Sequence, residues 1–180
     1  MLAALIQDVA AAAVIALAAF GLAPAAASGG VDPTSIPVES TALPPDLCSL
    51  LTEQEAETIL GMPLEPPQQQ RSGDCWYLRQ GGTDFGAVEL FISVLPVRMT
   101  SRKHFDSFVA EQVTKMNDRL EKAGAKGEPF TAEPVPELKD PAYYVDPGLY
   151  VLKGDQVLVL GIDRPRALLV AAKAVPRFQP

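Results

Sequence analysis

Alternation of apolar and polar positions is clearest over residues 86–95. Val88, Leu90, Ile92 and Val94 fall on one face there, and Ala87, Glu89, Phe91, Ser93 and Leu95 fall on the other. This predicts a strand with one fully apolar face and one partly covered face, against which a helix packs. A shorter strand over residues 74–78 precedes it, and Gly81-Gly82-Thr83-Asp84 suits a hairpin loop between the two. The period then lengthens. Phe105, Phe108, Val109, Val113, Met116 and Leu120 recur at helical spacing over residues 101–124, with Arg102, Lys103, Glu111, Lys115, Asp118 and Lys122 on the polar side. Upstream, Thr52 and Glu55 have the spacing of a capping box. It opens a helix over residues 53–60 that buries Ala56, Ile59 and Leu60 and stops at Gly61.

Downstream, a Pro-punctuated stretch holds one predicted strand over residues 129–132. Three strands follow at residues 142–145, 148–152 and 156–162, separated by the turn sequences Asp146-Pro147-Gly148 and Lys153-Gly154-Asp155. Asp163 caps a last helix with Pro165 in its first turn and Leu168, Leu169, Ala171, Ala172 and Val175 as its apolar stripe. Strand and helix blocks alternate without βαβ spacing. The expected class is therefore α+β, an antiparallel sheet with helices packed against it.

Residues 9–27 are almost wholly apolar and run into Ala25, Ala26, Ala27 and Ser28, the outline of a signal peptide over residues 1–28. The same run approaches the ~20 residues needed to cross a bilayer, so a retained membrane anchor is the alternative. Residues 29–45, rich in Pro, Ser and Thr, form an extended leader, and residues 46–180 a single globular domain. Either reading of the apolar run puts that domain outside the cytoplasm, secreted, periplasmic or on the outer face of the membrane. The charge balance of 15 Lys and Arg against 22 Asp and Glu, with the basic residues scattered, disfavours nucleic acid as a partner.

An exported location changes the meaning of the two cysteines, Cys48 and Cys75. Disulfides persist in oxidising compartments, and closing this loop stabilises a fold by roughly 3–4 kcal/mol in the chain-entropy picture. A reactive thiol pair is the rival reading, but the spacing is not C-x-x-C and His104 is the single imidazole. One histidine also removes the zinc sites built on paired His, and no metal or other cofactor is expected. Ser101 and Ser107 lie outside any G-x-S-x-G elbow, and Gly81, Gly82 and Gly86 match no phosphate-binding loop. Asp140 and Asp146 flank Tyr143-Tyr144. They read as turn-forming residues before prolines, or as paired carboxylates beside stacking rings.

The segments Asp46-Leu47-Cys48-Ser49-Leu50-Leu51-Thr52, Glu55-Ala56, Leu60-Gly61 and Cys75-Trp76-Tyr77 resemble those of a broad family of bacterial exported proteins and lipoproteins of unknown function. Asp140-Pro141-Ala142-Tyr143-Tyr144 and the run from Leu149 to Asp155 are similar to that family's last third. The resemblance covers about residues 46–175 and implies a PsbP-like α+β sandwich, with no catalytic residues to carry over. This chain lacks the lipid-attachment cysteine that many members have.

Without a catalytic motif, the function expected is that of a non-enzymatic exported module binding a protein or a cell-envelope component. A small-molecule or lipid carrier with an apolar pocket between the 101–124 helix and the sheet is the alternative, and a hydrolase a more distant one. Trp76, Tyr77, Tyr144 and Tyr150 are the candidate ligand-lining residues, because rigid amphipathic aromatics favour recognition surfaces.

Overall fold

A computed structural model describes residues 46–82, 85–125 and 127–180. The signal or anchor segment, the leader and the Thr83-Asp84 part of the hairpin loop lie outside the described residues.

Asp46 accepts a hydrogen bond from the Cys48 N–H and opens a 3₁₀ turn, Leu47–Leu50. Helix α1, Glu53–Leu60, follows. Thr52 and Glu55 form both halves of the capping box, and Gly61 ends the helix at φ 73°, in the left-handed region that suits a residue without a side chain. Two-residue β1, Gln68–Gln69, pairs with β2, Cys75–Leu78, which pairs with β3, Val88–Val94. Helix α2 is Arg102–Lys122, capped by Ser101. Then come β4, Glu133–Pro134; β5, Ala142–Val145; β6, Gly148–Lys153; β7, Gln156–Gly161; and helix α3, Arg164–Arg177, capped by Asp163.

Among the described residues, the seven strands join one antiparallel sheet in the order β1-β2-β3-β7-β6-β5-β4. The predicted class, the β5-β6-β7 meander and the β2-β3 pairing are present. The strand expected over residues 129–132 is instead β4, displaced to Glu133–Pro134 at the sheet edge, where a proline costs no ladder hydrogen bond on its outer side. No sequence signal pointed to β1 among the prolines that follow α1.

Strand alternation divides the sheet into two faces with different fates. Cys75, Tyr77, Leu90, Ile92, Leu149, Val151, Leu158 and Leu160 form one face. They pack against Leu47, Leu50 and Leu51, against Ala56 and Leu60 of α1, and against Ala167, Val170, Ala171, Ala174 and Val175 of α3. The small residues of α3 let its backbone approach β6 and β7 closely. They also correct the predicted stripe. Ala171 and Val175 are buried, Leu168 is half-buried, and Leu169 and Ala172 are exposed. The opposite face carries Phe91, Tyr143, Tyr150, Leu152, Val157 and Val159 beneath α2. Of α2's predicted stripe only Phe105 and Val109 are buried, while Phe108, Val113, Met116 and Leu120 stay half-buried.

Cys48 and Cys75 are bonded, with Cα atoms 5.1 Å apart, and pin the 3₁₀ turn to β2. Beside the bond, the Tyr77 hydroxyl donates to the Leu51 carbonyl at 2.6 Å in a buried site. Arg177 of α3 donates to the Leu50 carbonyl at 3.1 Å and grips the Glu55 carboxylate through both terminal nitrogens, at 2.6 and 2.8 Å. The domain's first turn, β2 and last helix are thus tied at one corner.

Candidate recognition face of the sheet

Across the α2 side of the sheet, the register lines up Gln68, Trp76, Phe91, Gly161, Gly148 and Val145 in one row. The next row holds Ser93, Val159, Tyr150 and Tyr143. The middle of the first row is two facing glycines. Gly161 receives the Phe91 ring. Three consecutive ring carbons, Cδ1, Cε1 and Cζ, crowd the point where a Cβ would stand, with Cε1 nearest and its two neighbours equally distant. Equal distances on either side of Cε1 put the ring plane across the Cα–Cβ direction. Phe91 therefore lies face-down on Gly161 and turns its other face away from the sheet. At Gly148 a Cβ would stand 3.8 Å from Cε2 of Tyr150, so this second ring also leans towards the glycine pair. The result is a low floor with Trp76, Phe91 and Tyr150 each half-buried.

The tyrosine hydroxyls separate by role. Tyr77 donates to Leu51, Tyr143 to Asp106 of α2 at 3.1 Å, and Tyr144 to Asp146 at 3.0 Å. Burial, with further electrostatic contributions from nearby carboxylates, pushes the Tyr77 and Tyr144 hydroxyls well above the usual phenol range. Among the described residues, Tyr150 is the tyrosine whose hydroxyl has no hydrogen-bond partner, and burial alone pushes its pKa up. The Ser93 hydroxyl is also without a partner among them.

The four aromatics singled out in the sequence are therefore not brought together. Tyr77 and Tyr144 sit in the core beneath α1 and α3, 0% and 7% exposed, and serve as packing with a satisfied polar tip. Trp76 and Tyr150 share the other face with Phe91, which the sequence alone marks as an ordinary strand residue. The one sequence signal for Phe91 was its parity with Ser93 and Leu95. Its glycine partner lies on a strand far along the chain, and no local pattern could supply it.

The groups with acid–base or nucleophilic capacity do not converge. Asp140 pairs with Lys153 at 3.4 Å at the start of β5, and Asp146 accepts from Tyr144 at its end. His104 is exposed in the first turn of α2, with Nδ1 3.4 Å from the Thr100 hydroxyl. Among the described residues there is no group of three or more His, Cys, Asp or Glu arranged to hold a metal ion, and no helix is long and apolar enough to cross a membrane. No protein-family model, curated protein or solved structure matches this chain.

Proposed function

We propose that this domain is an exported, non-enzymatic binding module that recognises a component of the cell envelope through the floor formed by Trp76, Phe91 and Tyr150. The observation that carries this reading is the contrast between the sheet's two faces. The α1/α3 face is sealed, with the rings of Tyr77 and Tyr144 buried, while the α2 face keeps rings half-buried and leaves the Tyr150 hydroxyl without a partner among the described residues. The Tyr150 hydroxyl is not a buried atom left without a partner, and a phenol that reaches the surface of an aromatic floor is available to a ligand. The Cys48–Cys75 bond fits an oxidising compartment, which supports export. The segments from Asp46 to Thr52, Cys75-Trp76-Tyr77 and Asp140 to Tyr144 support a PsbP-like sandwich as part of the same proposal.

Co-sedimentation of the exported chain with isolated envelope material tests the reading. Phe91→Leu removes the flat ring and keeps an apolar side chain. It should cut the bound fraction severalfold, whereas Tyr77→Phe on the sealed face should leave it unchanged. Equal binding by wild type and Phe91→Leu would sink the assignment.

A second reading, a carrier of apolar small molecules, is favoured by the half-buried Phe108, Val113 and Met116 of α2, which pack with Leu95 and Phe130 against the cluster on this side of the sheet. Met is adaptable in such places. Native mass spectrometry of the protein isolated from its own source separates the readings, since a carrier retains a bound apolar mass.

A further inference from the structure

We infer that the distal half of α2, from Val113 to Lys122, is a gate that parts from the sheet while the helix's first half stays seated, with the Asn117–Phe130 pair as its latch. The device belongs to the fold and goes beyond both binding readings, because it governs access to the α2 side whatever enters there.

The two helix layers are held differently. Helix α3 buries Ala167, Val170, Ala171, Ala174 and Val175 along its length, and its backbone runs close to β6 and β7. Helix α2 buries Phe105 and Val109, both in its first half. Beyond them Val113, Met116 and Leu120 are half-buried, and the α2 backbone makes no comparably close approach to a strand among the described residues. The first half is also pinned by specific contacts. The Phe105 and Tyr143 rings lie 5.8 Å apart, and Asp106 accepts from the Tyr143 hydroxyl at 3.1 Å. Just before the helix, buried Met99 donates its N–H to the Asp155 carbonyl at 2.7 Å. Segments with few buried apolar contacts are those that open at a lower free energy than global unfolding.

Between the halves lies a weak point. The Thr114 hydroxyl donates back to the Ala110 carbonyl at 3.0 Å, a bond that competes with the helical ladder and favours a bend. Val113 beside it is β-branched as well, which lowers helix propensity there. The Glu111–Lys115 ion pair spans this point at 2.7 Å, but both side chains are exposed, where such pairs contribute little. Asn117 then ties the distal half to the rest of the domain through its two hydrogen bonds with the Phe130 backbone, at 3.0 and 2.7 Å. Phe130 leads into β4, which is held on the sheet by β5 and by the Val135 N–H on the Ala142 carbonyl. Parting at this latch breaks two bonds whose groups pass to water, and it releases Val113 and Met116 from the apolar cluster they pack against.

The test is native-state hydrogen exchange of the exported chain, read residue by residue by NMR in low urea. The expected result is one shared opening for the amides of residues 117–122, nearly independent of urea and more than about tenfold as frequent as the opening that exposes the Val109 amide. Two variants separate the gate from the whole helix. Asn117→Ala removes the latch and should raise the distal opening roughly tenfold. Tyr143→Phe loosens the first half, which is intact in both the closed and the open gate. It should raise exchange at Val109 and leave the distal opening unchanged. A thiol placed by Met116→Cys gives a side-chain readout, since its reaction with a maleimide should follow the distal amides in both backgrounds. Exchange that rises residue by residue from Asn117 to Lys122 is end fraying and overturns the gate. A distal opening with the urea dependence of global unfolding overturns it too, as does acceleration of the distal amides by Tyr143→Phe, because the helix then parts from the sheet as one piece.

Discussion

Phe91 lies face-down on Gly161, occupying the volume in which any other residue of β7 would place its side chain. The two residues therefore depend on one another. Gly161→Ala should force the ring off the sheet and destabilise the fold by about 1–3 kcal/mol, the usual penalty of overpacking. In a Phe91→Ala background the same change should cost much less, because nothing is left to displace. Urea unfolding of both single variants and the double variant gives the coupling, and additive losses would contradict the stacking.

Reduction is expected to weaken the domain without dismantling its corner. The Cys48–Cys75 bond closes a separation of 27 residues, which corresponds to roughly 3–4 kcal/mol of restricted unfolded chain. Leu47, Leu50 and Leu51 remain buried, and the Tyr77 and Arg177 hydrogen bonds remain available after reduction. The Cys48→Ser, Cys75→Ser double variant should thus keep its circular dichroism spectrum and unfold at lower temperature. An unchanged midpoint would mean that the bond adds nothing.

Features set by neighbours in the chain were legible from sequence, and features set by register were not. Thr52, Glu55 and Gly61 act within one helix, so their spacing announced both of its ends. Alternation alone separates Trp76 from Tyr77, and Tyr143 from Tyr144. It cannot say that Tyr150 joins Trp76 on one face while Tyr144 joins Tyr77 on the other, because that follows from Tyr143 pairing with Tyr150. The α3 stripe failed for a related reason. Leu168 and Leu169 are the largest apolar residues of the predicted stripe, yet close approach to β6 and β7 selects Ala167, Ala171 and Ala174, with Leu169 left 55% exposed. The glycine floor was legible only as two unremarkable strand glycines until β6 and β7 were placed side by side.

Tyr77 and Tyr150 should respond oppositely to loss of the hydroxyl. Tyr77→Phe leaves the buried Leu51 carbonyl without its 2.6 Å donor, which should cost about 1–3 kcal/mol. Tyr150→Phe removes a hydroxyl that bonds nothing among the described residues and should leave stability within about 0.5 kcal/mol. Thermal unfolding of the two variants side by side checks this; a large loss for Tyr150→Phe would reveal a structural role.

Asn117 ties the return from α2 to the edge of the sheet. Its side-chain amide donates to the Phe130 carbonyl at 3.0 Å and its oxygen accepts from the Phe130 N–H at 2.7 Å, the pairing of one strand with another. Asn117→Ala should leave both groups of Phe130 unpaired, cost about 1–2 kcal/mol and speed hydrogen exchange at the Phe130 amide. Unaltered exchange there would show that another contact holds the segment.

Glu55 links acid stability to the corner where α1 meets α3. The Arg177 hydrogen bonds, with the Thr52 N–H, lower its pKa from 4.5 to about 2. A carboxyl whose folded pKa is depressed contributes stability that is fully present above its unfolded value and is lost as pH falls through the folded one. The contribution of Glu55 should therefore be complete above about pH 5 and fade between pH 4.5 and about pH 2. The side chains of Glu55 and Arg177 are 23% and 42% exposed, so solvent screens the pair, and the loss should be smaller than the shift alone implies. Glu55→Gln keeps a capping amide and removes the charge. Its stability curve should be lower than wild type at neutral pH and flatter through that acid window, and raised salt should narrow the difference between the two proteins. Parallel curves from neutral pH down to pH 2 would mean that the Arg177 contact does not distinguish the ionised from the protonated carboxyl.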